Sequence, residues 1–220
     1  MMKWRQVVLT AALVAANLNI GAVAQTATHP NINAQLLVAA RQGDLPAVDR
    51  SLARGAAPNS RNRLGKTALL IAAEKGHAGM AERMLAARAD VNLASLEGVT
   101  PLMAAAYGGH AAIAKTLLDA GAKAEPVDRM KKPAVIYAAG QGNADVIALL
   151  LDRGVPIDAA HEQQLTALMW AAGQGHAETV ALLLSRGAKT DLRDDRGLTA
   201  EHIARQAGHA QIAAALAAAR

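Results

Sequence analysis

Six glycines recur at one fixed interval: Gly43, Gly76, Gly109, Gly142, Gly175 and Gly208, each 33 residues after the last. A period of that length dictates a stack of similar supersecondary units, each burying its apolar face only against its neighbours. With 220 residues, 52% of them hydrophobic, the chain is long enough for one solenoid with a continuous core. Such a stack offers a long ridged surface and no deep cleft. Its shape serves binding rather than catalysis.

The segment from Leu96 to Glu125 shows the grammar of one unit. Glu97-Gly98-Val99 signals a turn. Thr100-Pro101 opens a helix, because Thr caps well and Pro is tolerated at the first helical position. A short apolar helix from Leu102 to Tyr107 follows, rich in Ala so that neighbouring units approach closely, and Gly108-Gly109-His110 breaks it. A second helix spans about 111–119, with Ile113, Leu117 and Leu118 on its buried side. Gly121 stands where a left-handed helix end is wanted, and an extended hairpin loop leads onward. The pattern recurs at 66–90, 132–156, 165–189 and 198–220, and a shorter first unit covers 34–57.

The run Val99-Thr100-Pro101-Leu102-Met103-Ala104-Ala105-Ala106, then Gly109-His110, then Leu117-Leu118-x-x-Gly121-Ala122, resembles the ankyrin repeat. Three independent series keep one register across it. They are Thr67, Thr100, Thr166 and Thr199; Gly55, Gly121, Gly154 and Gly187; and the polar Asn59, Asn92, Glu125, Asp158 and Asp191. The resemblance implies an all-α repeat solenoid of about six units, each a helix–turn–helix with a β-hairpin finger. Inner helices and fingers would form a concave binding face. The domain reading is a first capping repeat over 33–62, four internal repeats over 63–193 and a last capping repeat over 194–220.

Several positions depart from the pattern. Arg88 replaces a helix-ending glycine, at a cost of about 1 kcal/mol for a left-handed non-glycine residue. Glu201 stands where Leu69, Leu102 and Leu168 stand, which suits a terminal cap with water on one side. The unit 128–160 departs most. Lys131 stands in the place of Gly65, Gly98 and Gly197, as Gln164 does one unit on; Pro133 replaces the capping Thr, and Asn143 replaces the repeated His. Drift in a tolerant scaffold and a finger shaped for a partner both account for this.

Residues 1–24 form a different object. Lys3 and Arg5 precede an apolar run from Val7 to Ala16, and Ala22 and Ala24 are the small residues of an A-x-A cleavage site. This reads as a secretory signal peptide cut between Ala24 and Gln25, followed by a linker over 25–32. An uncut membrane anchor is the competing reading, but Asn17, Asn19 and Gly21 interrupt the run before the roughly 20 apolar residues that a span needs. The expected location is the periplasm, with no membrane insertion after cleavage. The absence of cysteine excludes both a lipid-anchored leader and disulfides. Cleavage removes two positive charges from a net charge of +5 and no acid, leaving +3. The remaining basic residues are mixed with acids, which is a solvated surface and not a nucleic-acid footprint. The expected partner is another protein, bound by a monomer.

Aromatic side chains carry much of the energy at protein interfaces. Beyond the leader the chain has only Tyr107, Tyr137 and Trp170, all on inner helices of three consecutive units. They either fill space between units or form an aromatic stripe on the concave face. Met130 and Lys132 from one finger, Glu162 and Gln163 from the next, and Gln141 and Gln174 beside the stripe complete the candidate binding set. The basic finger Arg129, Lys131 and Lys132, with Arg61, Arg63 and Lys66 two units away, offers a second surface for an acidic partner.

Apparent catalytic motifs dissolve on inspection. Gly65-Lys66-Thr67 lacks the first glycine of a phosphate loop, since residue 60 is Ser60. His161-Glu162 lacks the second His of a zinc-protease helix, since residue 165 is Leu165. His77, His110, His176 and His209 lie one per stacked layer, about 10 Å apart, too far to share a metal at about 2 Å. They read as turn residues that hydrogen-bond between units. No catalytic residue, cofactor or metal is expected, nor enzymatic activity. The resemblance extends to exported accessory proteins that support a periplasmic enzyme, including ones tied to peroxide defence. Two other roles suit the same face: an immunity or inhibitor protein masking an exported toxin or hydrolase, and a structural part of an envelope assembly.

Overall fold

The computed structural model describes residues 31–219. The expected leader and cleavage site, and the expected linker up to residue 30, lie outside the described residues. Six helices form an inner row: α1 (Ile32–Gln42), α3 (Ala68–Lys75), α5 (Pro101–Gly108), α7 (Ala134–Gln141), α9 (Ala167–Gln174) and α11 (Ala200–Gln206). Each is followed by an outer helix: α2 (Leu45–Ala53), α4 (Ala78–Ala86), α6 (Ala111–Asp119), α8 (Ala144–Asp152), α10 (Ala177–Ser185) and α12 (Ala210–Ala218). Each inner helix packs on the next inner helix, so the rows run the length of the chain.

The helix ends follow from local chemistry. The hydroxyls of Thr67, Thr100 and Thr166 accept from the backbone N–H three residues on, at 3.2–3.3 Å. Pro133 gives α7 no such cap. The glycine after α7, Gly142, has φ of 75°, and a Cβ there would meet His176 Nδ1 at 2.6 Å. Glycine is thus required twice over, for its dihedral and for the neighbouring ring. His176 Nε2 in turn lies 3.0 Å from the carbonyl of Gly140, and Asn143 donates to the carbonyls of Ala106 and Tyr107 at 2.8 and 3.1 Å. His176 and Asn143 thus tie one unit to the next, whereas among the described residues His77, His110 and His209 make ring contacts with the glycine position of the preceding unit but no such hydrogen bond.

The core is a set of ladders running along the stack. Leu36, Leu69, Leu102, Val135 and Leu168 form one, and Met84, Leu117, Leu150, Leu183 and Leu216 another, all buried. Each such leucine contributes about 1.5–3 kcal/mol on burial. The pairs Ala72-Ala73, Ala105-Ala106, Ala138-Ala139 and Ala171-Ala172 are wholly buried, which lets the inner helices approach closely. Glu201 corrects an expectation. It ends the first ladder, yet it is buried rather than turned to water, and its carboxylate accepts from Arg205 Nη2 at 2.8 Å. A buried carboxylate is tolerated because its cation is one helical turn away.

The fingers also differ from expectation. They turn as hairpins, but no strand forms among the described residues. Each is closed by a backbone bond spanning four residues, as from Asn62 N–H to the Lys66 carbonyl at 3.0 Å. The segments are too short for a ladder, and every finger but 161–165 is braced from within by a side chain at its first position. Asn62 Oδ1 accepts from Leu64 and Lys66, Asp128 Oδ1 from Met130 and Lys132, and Asp194 Oδ1 from Arg196 and Leu198. Arg88, Lys131 and Gln164 do hold the positive φ of the glycines they replace, at 62°, 55° and 58°.

Two alanine substitutions separate the two demands on glycine. Gly121 has φ of 88° and nothing near its missing Cβ, so Gly121→Ala should cost about 1 kcal/mol from the backbone alone. Gly142→Ala adds overlap with His176, worth a further 1–3 kcal/mol or so. Thermal unfolding should therefore place Gly142→Ala clearly below Gly121→Ala, and equal melting temperatures would contradict the close contact.

Candidate protein-binding face

The inner helices and fingers bring the predicted residues to one groove. Tyr107, at the end of α5, is 56% exposed. Its ring meets that of Tyr137 on α7 edge to face, with centroids 5.9 Å apart. Tyr137 and Trp170 are half-buried and packed against the core, so they are filler on one side and groove wall on the other. Lys132 Nζ sits 4.5 Å over the Trp170 ring. Met130 is 61% exposed at its finger tip, and Glu162 and Gln163 are exposed at the next. Gln141 and Gln174 are exposed at the ends of α7 and α9.

Tyr137 does more than present a ring. Its hydroxyl donates to Asp128 Oδ2 at 2.5 Å, while Asp128 Oδ1 holds two backbone N–H groups of the 128–132 finger. The tyrosine therefore ties this finger to its inner helix. Burial, and then the neighbouring Asp128 carboxylate, push the Tyr137 hydroxyl well above its ordinary value, so it stays protonated and keeps donating.

Sequence reasoning missed the other end of the groove. Leu64 and Leu96 are 61% and 63% exposed at the tips of the first two fingers. Between those fingers lies a recess of about 410 Å³ whose walls include Leu64, Leu70, Val99, Met103 and Tyr107. The signal was present: the tips of the last two fingers carry Glu162, Gln163, Asp195 and Arg196 instead. An apolar tip loses no burial in its own unit, so periodicity alone gives it no role.

One junction lacks the braces found at the others. Asn59, Asn92 and Asp158 each accept from a backbone N–H 31 residues on, at 2.8–2.9 Å. The corresponding partner of Glu125 is Pro156, which has no N–H. Backbone bonds join Leu96 to Leu64, Arg129 to Glu97 and Asp195 to Gln163 across neighbouring fingers. Among the described residues none joins 128–132 to 161–165. His161 stands where Asn62, Asp128 and Asp194 brace their fingers, and its Nε2 is buried without a partner. Gln163 and Gln164 both adopt positive φ. A cleft of about 430 Å³ opens at this junction, between the basic finger and Trp170. Lys131 and Glu162 meet across it at only 3.8 Å.

A family model for ankyrin repeats, described as three copies, matches residues 36–129 and again residues 135–220. The chain belongs to the ankyrin-repeat family. The two matches part at the divergent finger, where the braces are also lost. As an ankyrin-repeat protein it is a protein-interaction module. No characterised protein matches it in sequence. No group of three or more His, Cys, Asp or Glu side chains is arranged to hold a metal among the described residues.

Two measurements probe this face of the ankyrin stack. Tyr137→Phe leaves one oxygen of the buried Asp128 without its donor, and should cost about 1–3 kcal/mol. Hydrogen exchange should then speed at the Met130 and Lys132 amides, and unchanged exchange would remove the tether. The second concerns His161, whose burial holds its imidazole below the ordinary 6.5 by disfavouring the charged form. The unfolded chain therefore binds a proton at higher pH than the folded one. The neutral imidazole's contribution is complete above the unfolded value and is lost as pH falls through the folded value. The melting temperature should drop as pH falls below about 6.5, and His161→Gln should flatten part of that drop.

Proposed function

We propose that this protein holds a client protein in its concave groove and acts outside the cytoplasm as a non-catalytic accessory to it. The observation that carries the proposal is the run of exposed apolar side chains along one face: Leu64, Leu96, Tyr107 and Met130. Several large apolar side chains exposed along one face, among charged ones, are characteristic of an interaction surface. The stack beneath holds it in place before any partner arrives, so docking loses little backbone entropy and modest contacts suffice. The extracytoplasmic location rests on the basic start, apolar run and small-residue cleavage site of residues 1–24. A periplasmic enzyme is the client class we favour, in line with the resemblance to exported accessory proteins, those of peroxide defence among them.

The test uses exposed residues, because Tyr137 also braces a finger. Tyr107→Ser combined with Met130→Ser should keep the helical circular dichroism of the parent and lower the melting temperature by only a few degrees, from the lost edge-to-face contact with Tyr137. It should lose the client in a crosslinked pull-down from periplasmic extract. Full recovery of the client by that variant would sink the groove as the binding site.

A further inference from the structure

Two of the recesses along the groove have opposite character. The recess between fingers 62–66 and 95–99 is walled by Leu64, Leu70, Val99, Met103 and Tyr107. Its lysine is spent locally, since Lys66 Nζ pairs with Glu74 at 2.6 Å. Ser95, Glu97 and Tyr137 also line the recess, and Glu97 is paired with Arg129 at 3.0 Å, so it is a mainly apolar socket whose charges are matched and which has no unpaired cation to hold an anion. The cleft between fingers 128–132 and 161–165 has the reverse balance. Arg129, Lys131 and Lys132 line it against the single carboxylate of Glu162. Arg129 leans back to Glu97 at 3.0 Å, and Lys131 reaches Glu162 at 3.8 Å. Lys132 pairs with no carboxylate among the described residues and rests on the Trp170 ring. A cation held against an aromatic face, partly out of water, attracts an anion more strongly than a freely solvated lysine does.

The cleft is open for a structural reason. At this junction Pro156 removes one brace, the backbone link between fingers is missing, and His161 supplies no brace to its own finger. A second copy of the chain is a poor occupant, because its own exposed finger presents the same three cations. Charge complementarity selects an acidic group.

The finger pairs that frame the two recesses are two units apart, roughly 20 Å at about 10 Å per stacked helix, although both recesses touch α7 through Tyr137 and Ile136. An extended chain advances about 3.3 Å per residue, so it covers that span in about six residues. Side chains six apart also point to the same face of an extended strand. We infer that the groove receives an extended segment of the partner protein bearing a large apolar side chain and, about six residues along, a carboxylate. The apolar group fills the Leu64–Tyr107 socket, and the carboxylate meets Lys132 at the mouth of the cleft. This rests on the groove being the client site and adds the chemistry of what it reads.

A displayed library of random dodecapeptides, selected on the purified full chain, tests this directly. Enriched sequences should share an apolar residue and an Asp or Glu about six positions away, or another even number close to it, so that both side chains face the groove. In the best synthetic peptide, exchanging the acid for its amide should weaken binding about tenfold. Lys132→Gln should erase that difference, while Leu64→Ser should weaken acid and amide forms alike. Enriched peptides that depend on Tyr107 or Leu64 but share no acid would overturn this inference and leave the groove reading standing. So would an amide form that binds as well as the acid. If no enriched peptide depends on any groove residue, both readings fall.

Discussion

Every helix pair in this protein is unable to hide its apolar face alone, and the pairs before and after it do the hiding. That dependence produces the ladders of Leu36 through Leu168 and of Met84 through Leu216. It also forces the inner helices together, which is why alanine pairs line their contacts. The stack is regular because each interface repeats the last. Its fingers and inner-helix ends thereby become fixed points on one surface, which is the property an interaction module needs.

The same dependence explains how one junction can be loosened without loss of the fold. Between the units that meet at 128–132 and 161–165, three polar braces are absent on the finger side. The apolar contact of α7 with α9 beneath them is retained. Stacking is carried by buried area, whereas finger spacing is set by a few hydrogen bonds. Proline at 156 and histidine at 161 therefore alter the groove and spare the core. Tyr137 and Asp128 then hold the basic finger from its own side. The result is a cleft whose basic wall is fixed and whose other wall is released from it.

Much of this was legible in the sequence. The 33-residue period gives the units, threonines and glycines give the helix ends, and Arg88, Lys131 and Gln164 betray their positive φ by standing in glycine's place. Tyr107, Tyr137 and Trp170 fall on the inner helices where the register puts them. Other features were not legible. The fingers read as β-hairpins because their turn residues are those of hairpins, yet they are too short to make a ladder. Glu201 reads as solvent-facing because it is charged, yet a cation one turn away lets it stay buried. Leu64 and Leu96 were passed over because a finger tip belongs to no periodic core.

The sequence by itself determined the repeat, its helix pairs and the face on which side chains must be buried, because those follow from spacing along the chain and from local backbone chemistry. Tertiary structure alone decided which tips are exposed, that Tyr137 anchors Asp128, that Lys132 lies on Trp170, and that a cleft opens where proline meets a would-be acceptor. These relations join residues 9 to 38 positions apart in the chain. Local propensity does not encode them; the register of stacked units does.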